Sequence, residues 1–107
     1  MSFSNLGLCA ELLRAIKEEG YTTPTPIQSK SIPVILSNKD VLAAAQTGTG
    51  KTAGFTLPLL QRLKTAYNKD KKSHVRALIL TPTRELAAQV AQSVETYGKY
   101  LPFKSAV

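Results

Sequence analysis

Residues 45–52 read AQTGTGKT, a glycine-rich run between the short apolar stretch DVLAAA, residues 40–45, and the longer KTAGFTLPLLQRLKTAY, residues 51–67. The run approaches the pattern Gly, four residues, Gly, Lys, then Ser or Thr, which cradles nucleotide phosphates when it joins a strand to a helix. Gly48 and Gly50 open backbone conformations that a side chain obstructs, so successive N–H groups can converge on an anion. The N-terminus of the following helix adds unpaired N–H groups and partial positive charge. Lys51 would then reach the β- and γ-phosphates, and Thr52 would set its hydroxyl on Mg²⁺. The first position is Ala45 rather than Gly, and a small residue still leaves room for the turn. Ala45, Gln46, Thr47, Gly48, Thr49, Gly50, Lys51 and Thr52 thus form a candidate phosphate cradle, with a plain glycine-rich loop as the alternative. A cradle alone names no reaction.

Working outward, LCAELLRAIKEEG (residues 8–20) places Leu8, Leu12, Leu13 and Ile16 on one helical face, and Gly20 suits the position just past a helix end. In YTTPTPIQSKSIPVILSNKD (residues 21–40), Thr25 can cap a second helix with Pro26 in its first turn and Gln28 three residues after the cap. Pro33 should limit or kink that helix. DVLAAA reads as a short buried strand, and residues 51–67 as a helix with an irregularity at Pro58. VRALILT (residues 75–81) is apolar on consecutive positions, as a parallel strand covered on both faces would be. TRELAAQVAQSVETYGKYL (residues 83–101) carries Leu86, Val90 and Val94 at helical spacing, and FKSAV (residues 103–107) can begin a further strand. Strands separated by helices predict an α/β fold with a parallel sheet and right-handed crossovers. Functionally the chain divides into residues 1–39, helical, and residues 40–107, which carry the cradle.

A chain of 107 residues, 43% hydrophobic, is the size of one globular domain. Its net charge of +7 suits either polyanionic partners such as nucleic acid or ordinary solubility. One cysteine, Cys9, gives no disulfide framework and fits a reducing setting. No basic leader precedes a long apolar run, and no apolar stretch reaches the roughly 18 residues of a membrane span. The expectation is a cytoplasmic protein without membrane contact. Lys69, Lys71, Lys72 and His74 in NKDKKSH (residues 68–74) form a basic loop that can meet a nucleic-acid backbone or simply stay solvated. No cluster of His, Cys and carboxylates has metal-ligand spacing.

Three runs in order, GYTTPTPIQ (residues 20–28), AQTGTGKT and PTRELA (residues 82–87), resemble the N-terminal motor motifs of DEAD-box ATP-dependent RNA helicases. Phe3 matches the aromatic that the family places upstream of its glutamine motif. The similarity runs from Phe3 to about Pro102, and MSFSNLGL together with AQTGTGKTAGFTLPLLQRL most resembles the bacterial RhlE type. The resemblance implies the N-terminal part of a RecA-like, P-loop domain, with ATP and Mg²⁺ as cofactors and RNA as partner. It also implies that Gln28 reads the adenine edge, Tyr21 stacks on the base and the backbone near Thr23 completes the contact. An amide offers a donor beside an acceptor, which matches adenine and mismatches guanine. Gln28 can equally serve only as the partner of Thr25 in a capping box, and Tyr21 as a packing residue. PTRELA begins where a strand ends and a helix starts, the edge at which open α/β sheets place ligands. There Pro82, Thr83 and Arg84 would meet RNA phosphates, which give affinity and register but not sequence choice. A solvated helix start is the alternative.

Hydrolysis by this family needs an acidic residue after a third strand, to help hold Mg²⁺ and position water. The acidic residues are Glu11, Glu18, Glu19, Asp40, Asp70, Glu85 and Glu95, and none follows an apolar strand. The Asp-Glu-Ala-Asp run and the second motor domain are not in these residues. The expected function is therefore that of an N-terminal fragment of an RNA helicase, an ATP hydrolase when full length and without turnover alone. Lys51 and Thr52 would be its share of the catalytic apparatus. The rivals are a non-enzymatic half-domain that binds a nucleotide or partner, and another phosphate-loop ATPase such as a DNA helicase.

Overall fold

A computed structural model of the chain describes residues 2–45, 50–67 and 74–107. A 3-10 turn at Phe3–Asn5 precedes four α-helices: α1 (Ala10–Glu18), α2 (Pro26–Leu36), α3 (Lys51–Thr65) and α4 (Arg84–Tyr97).

The helix α1 buries Leu12, Ala15 and Ile16, the face its spacing predicts. It ends in a paired-bond stop: Gly20, at φ 83°, donates its N–H to the Lys17 carbonyl at 3.0 Å, and the Tyr21 N–H reaches the Ile16 carbonyl at 3.3 Å. This reversal fixes where Tyr21 leaves the helix. The start of α2 is a capping box, with Pro26 at the first helical position. Its two bonds are Gln28 N–H to Thr25 Oγ1, 3.4 Å, and Thr25 N–H to Gln28 Oε1, 3.0 Å.

Neither internal proline ends its helix. α2 runs through Pro33 to Leu36, and α3 runs through the buried Pro58 to Thr65. Proline has no N–H, so Pro58 leaves the carbonyl four residues earlier, on Gly54, without its helical partner. The Ser31 hydroxyl of α2 donates to that carbonyl at 3.0 Å. The bond satisfies a buried acceptor and pins α2 to α3. On α4, Thr83 Oγ1 caps the first turn by accepting from the Leu86 N–H at 3.1 Å. Of the three residues at helical spacing only Val90 is buried.

One core gathers Phe3, Leu6 and Leu8 before α1, Leu12 and Ile16 on α1, Ile32 on α2, Leu57 and Leu60 on α3, and Leu101 after α4. The packed pairs are α2 with α3, α3 with α4, and α1 with α4. Among the described residues no helix is long and apolar enough to cross a membrane.

The expected strands are corrected by the structure: residues 41–45, 74–83 and 102–107 form no strand, and no sheet exists among the described residues. A strand needs a neighbouring chain for its N–H and C=O groups and a face to bury. Neither is supplied here, since Leu42 is fully exposed and Val75 and Leu80 are 86% and 83% exposed. The apolar pattern of VRALILT is thus a capacity for burial that these residues do not meet.

Candidate functional site

Among the described residues, the N-termini of α1 and α3 have no side-chain cap. α2 and α4 begin with a threonine whose side chain caps the first turn, whereas α3 begins at Gly50, at φ 85°, with no side-chain cap. The first N–H groups of a helix have no internal partner and concentrate its positive partial charge. At Lys51, Thr52 and Ala53 such groups can receive an anion.

Gln28 joins that end to α2. Its Oε1 is held by the capping box, and its Nε2 donates to the Gly50 carbonyl at 3.2 Å. Gln28 is 93% buried and its amide is held at both ends, which orients it; among the described residues one donor and one acceptor site of the amide are not used. Capping and ligand recognition are thus compatible in Gln28. The side chain cannot rotate away from the cradle without breaking both bonds.

Beside Gln28 lies a cavity of about 250 Å³. Tyr21 and Thr23 line it from the loop after α1, Thr25 and Gln28 from the start of α2, Gly50, Thr52 and Ala53 from the start of α3, and Ser93 and Tyr97 from α4. Five residues singled out in the sequence, Tyr21, Thr23, Gln28, Gly50 and Thr52, meet here. Lys51 is exposed next to them and Ala45 is half-buried. Gln46, Thr47, Gly48 and Thr49 lie outside the described residues, as do Lys69, Lys71 and Lys72.

Sequence reasoning missed Ser93 and Tyr97. Their spacing of four puts them on one face of α4, but the motif that drew attention to α4 is at its other end. Burial, with Tyr21 and Glu19 nearby, pushes the Tyr97 phenol above its ordinary value, so it stays a neutral hydrogen-bond donor. Tyr21 is 55% exposed. Among the described residues no Asp or Glu lines the cavity, and no group of three His, Cys, Asp or Glu can hold a metal ion. This arrangement can bind an anion and a flat polar ring, but it offers no carboxylate to accept a proton.

Pro82, Thr83 and Arg84 are exposed and do not join the cavity. At 1.5 Å per helical residue, Arg84 stands about 14 Å along α4 from Ser93. Thr83 is occupied as a cap, and the Thr81 hydroxyl donates to its carbonyl at 3.0 Å.

Comparison with known proteins adds the family. A family model for DEAD/DEAH box helicases matches residues 25–107. The ATP-dependent RNA helicase DHH1 of Meyerozyma guilliermondii is 50% identical over 106 residues, which are 99% of this chain and 18% of that protein. The DEAD-box ATP-dependent RNA helicase RhpA of Helicobacter pylori is 45% identical over 97% of this chain and 20% of its own length. This chain thus spans about a fifth of each of these two relatives. The crystal structure of the RNA helicase Prp28 from Chaetomium thermophilum, bound to ADP, superposes with a TM-score of 0.85 at 40% identity, over 98% of this chain and 26% of that one. With the uncapped α3 terminus, the anchored glutamine and the family match over most of its length, the chain belongs to the DEAD-box RNA helicase family.

Proposed function

We propose that this chain is the nucleotide-binding part of an ATP-dependent RNA helicase, which in its whole form couples ATP hydrolysis to the separation of RNA strands. The observation that carries the reading is the meeting of Tyr21, Thr23 and Gln28 with Gly50 and Thr52 around one cavity at an uncapped helix start. Gln28 reads the adenine edge with its free donor and acceptor, and Tyr21 closes on the base. The cradle from Ala45 to Thr52 takes the phosphates, with Lys51 as the counter-charge. Mg²⁺ fits this site only as a companion of the nucleotide, because among the described residues Thr52 alone lines the cavity with a hydroxyl at the phosphate end. When bound, it neutralises phosphate charge. Pro82, Thr83 and Arg84 hold RNA phosphates at the far end of α4.

The finer features belong to the same proposal. In the whole protein, residues 40–45 and 75–81 become strands of a parallel RecA-like sheet, their exposed apolar side chains covered by further strands. Residues 1–39 serve the base and residues 40–107 the phosphates and RNA. The RhlE type rests on the sequence runs at residues 1–8 and 45–63, beside relatives drawn from yeasts, a plant, a mouse and a bacterium. A lone cysteine is consistent with work in the cytoplasm.

Calorimetric titration of the 107-residue chain with Mg-ADP and Mg-GDP tests the reading. ADP should bind in preference to GDP, and Lys51→Ala should weaken ADP about tenfold or more, the effect of losing one charge-assisted bond. Equal affinity for the two nucleotides defeats the role of Gln28, and an indifferent Lys51→Ala defeats the cradle.

That no Asp or Glu among the described residues lines the cavity favours a second reading of the chain on its own, as a nucleotide-binding module without turnover. Magnesium-dependent ATPase activity of these 107 residues, abolished by Lys51→Ala, would sink it.

A further inference from the structure

The cavity has two aromatic residues, and they differ in how firmly they are held. Tyr21 follows the α1 stop and is more than half exposed. Tyr97 packs against the hydrophobic core and stands within the last turn of α4. A ring already fixed by packing loses little freedom when a ligand docks on it, whereas an exposed ring must be ordered. The aromatic surface of the cavity that packing holds better is therefore Tyr97. Ser93, one turn earlier on the same face, brings a hydroxyl to the same cavity.

Resting on the nucleotide reading above, we propose that Tyr97 and Ser93 of α4 contact the nucleoside of the bound nucleotide: Tyr97 is the fixed aromatic wall against which the base seats before Tyr21 closes, and Ser93 hydrogen-bonds the sugar. No sequence motif singles out either residue. The cavity volume, about 250 Å³, lies just below the range of about 300 to 1,000 Å³ usual for ligand sites. It suits a nucleoside whose phosphates extend beyond it over the start of α3. The consequence is that α4 carries a nucleoside contact at one end and the PTRELA residues at the other.

The test is a pair of titrations on the 107-residue chain, with Mg-ADP and with magnesium tripolyphosphate, which has phosphates but no nucleoside. Tyr97→Leu should weaken ADP about tenfold, as loss of one base–aromatic contact does, while tripolyphosphate affinity moves less than about twofold. Tyr97→Phe, which keeps the ring and the core packing, should hold most of the ADP affinity. Ser93→Val, which places an apolar branch in the cavity, should also lower ADP affinity selectively. Should Tyr97→Leu fail to fold, Ser93→Val and the ADP-induced shift of the Tyr97 ring signals in the parent chain, assigned with Tyr97→Phe, decide the matter. Parent chain that binds ADP, with Ser93→Val at equal affinity and unmoved Tyr97 ring signals, overturns the inference and leaves the nucleotide site standing. Parent chain that binds neither probe overturns the nucleotide reading and the inference together.

Discussion

Gly50 answers two demands at once. Its φ of 85° lies in the left-handed region, where a side chain costs of order 1–3 kcal/mol. A Cβ there would also stand 2.3 Å from Gln28 Nε2, the atom that donates to the Gly50 carbonyl. Gly50→Ala must therefore strain the turn and push the glutamine amide aside. We expect a lower melting temperature together with ADP affinity reduced at least about tenfold, since one charge-assisted or buried bond is worth that much. A Gly50→Ala chain that melts earlier but binds ADP as before would separate the turn from the amide and remove the contact from the mechanism. The spacing of GTGKT made the glycine legible in the sequence. Its bond to Gln28 was not, because 22 residues separate the two and only the packing of α2 on α3 brings them together.

At the scale of elements, the helices and the irregularity at Pro58 were legible, but how that irregularity is resolved was not. A local rule gives each proline a break, and the missing N–H at Pro58 is real. What the rule omits is that a hydroxyl from another helix can satisfy the carbonyl left over, as Ser31 does for Gly54. Ser31→Ala leaves that buried acceptor without a partner and should cost about 1–3 kcal/mol, read as a fall in chemical or thermal stability. A double-mutant cycle isolates the cause. In the Pro58→Ala background the alanine N–H can return to the Gly54 carbonyl, so Ser31→Ala should cost much less there. Equal costs in the two backgrounds would show that Ser31 acts by packing alone. The same limit of local reading hid Ser93 and Tyr97: PTRELA marks the start of α4, while the cavity is built from its end.

At the scale of the whole molecule, the apolar runs at residues 41–44 and 75–80 show why a sheet was expected from the sequence, although none forms among the described residues. The α/β pattern records what the segments can bury, whereas strand formation depends on neighbours that these residues do not provide. The helical part instead closes on itself through a surface tie between its first helix and the segment after its last. The Tyr100 hydroxyl donates to the Glu18 carboxylate, Lys99 pairs with that carboxylate at 3.2 Å, and the Arg14 guanidinium lies 4.1 Å from the centre of the Tyr100 ring. The Tyr100 hydrogen bond, with Lys99 and Arg14 adding to it, holds the Glu18 carboxyl below its ordinary 4.5. The bond to Glu18 holds the Tyr100 phenol above its ordinary 10.0. For Glu18, whose folded value is lowered, the stabilisation is present above pH 4.5 and is lost as pH falls through the folded value. For Tyr100, whose folded value is raised, it is complete below pH 10.0 and is lost as pH rises through the folded value. The tie should therefore add a constant increment between those limits and fade beyond each. Comparing melting temperatures of the parent chain and Tyr100→Phe across pH measures that increment directly. The difference should be flat near neutrality, shrink below pH 4.5 and shrink again above pH 10.0. A difference that stays constant into acid would mean that the phenol hydroxyl stabilises the fold without drawing on the charge of Glu18.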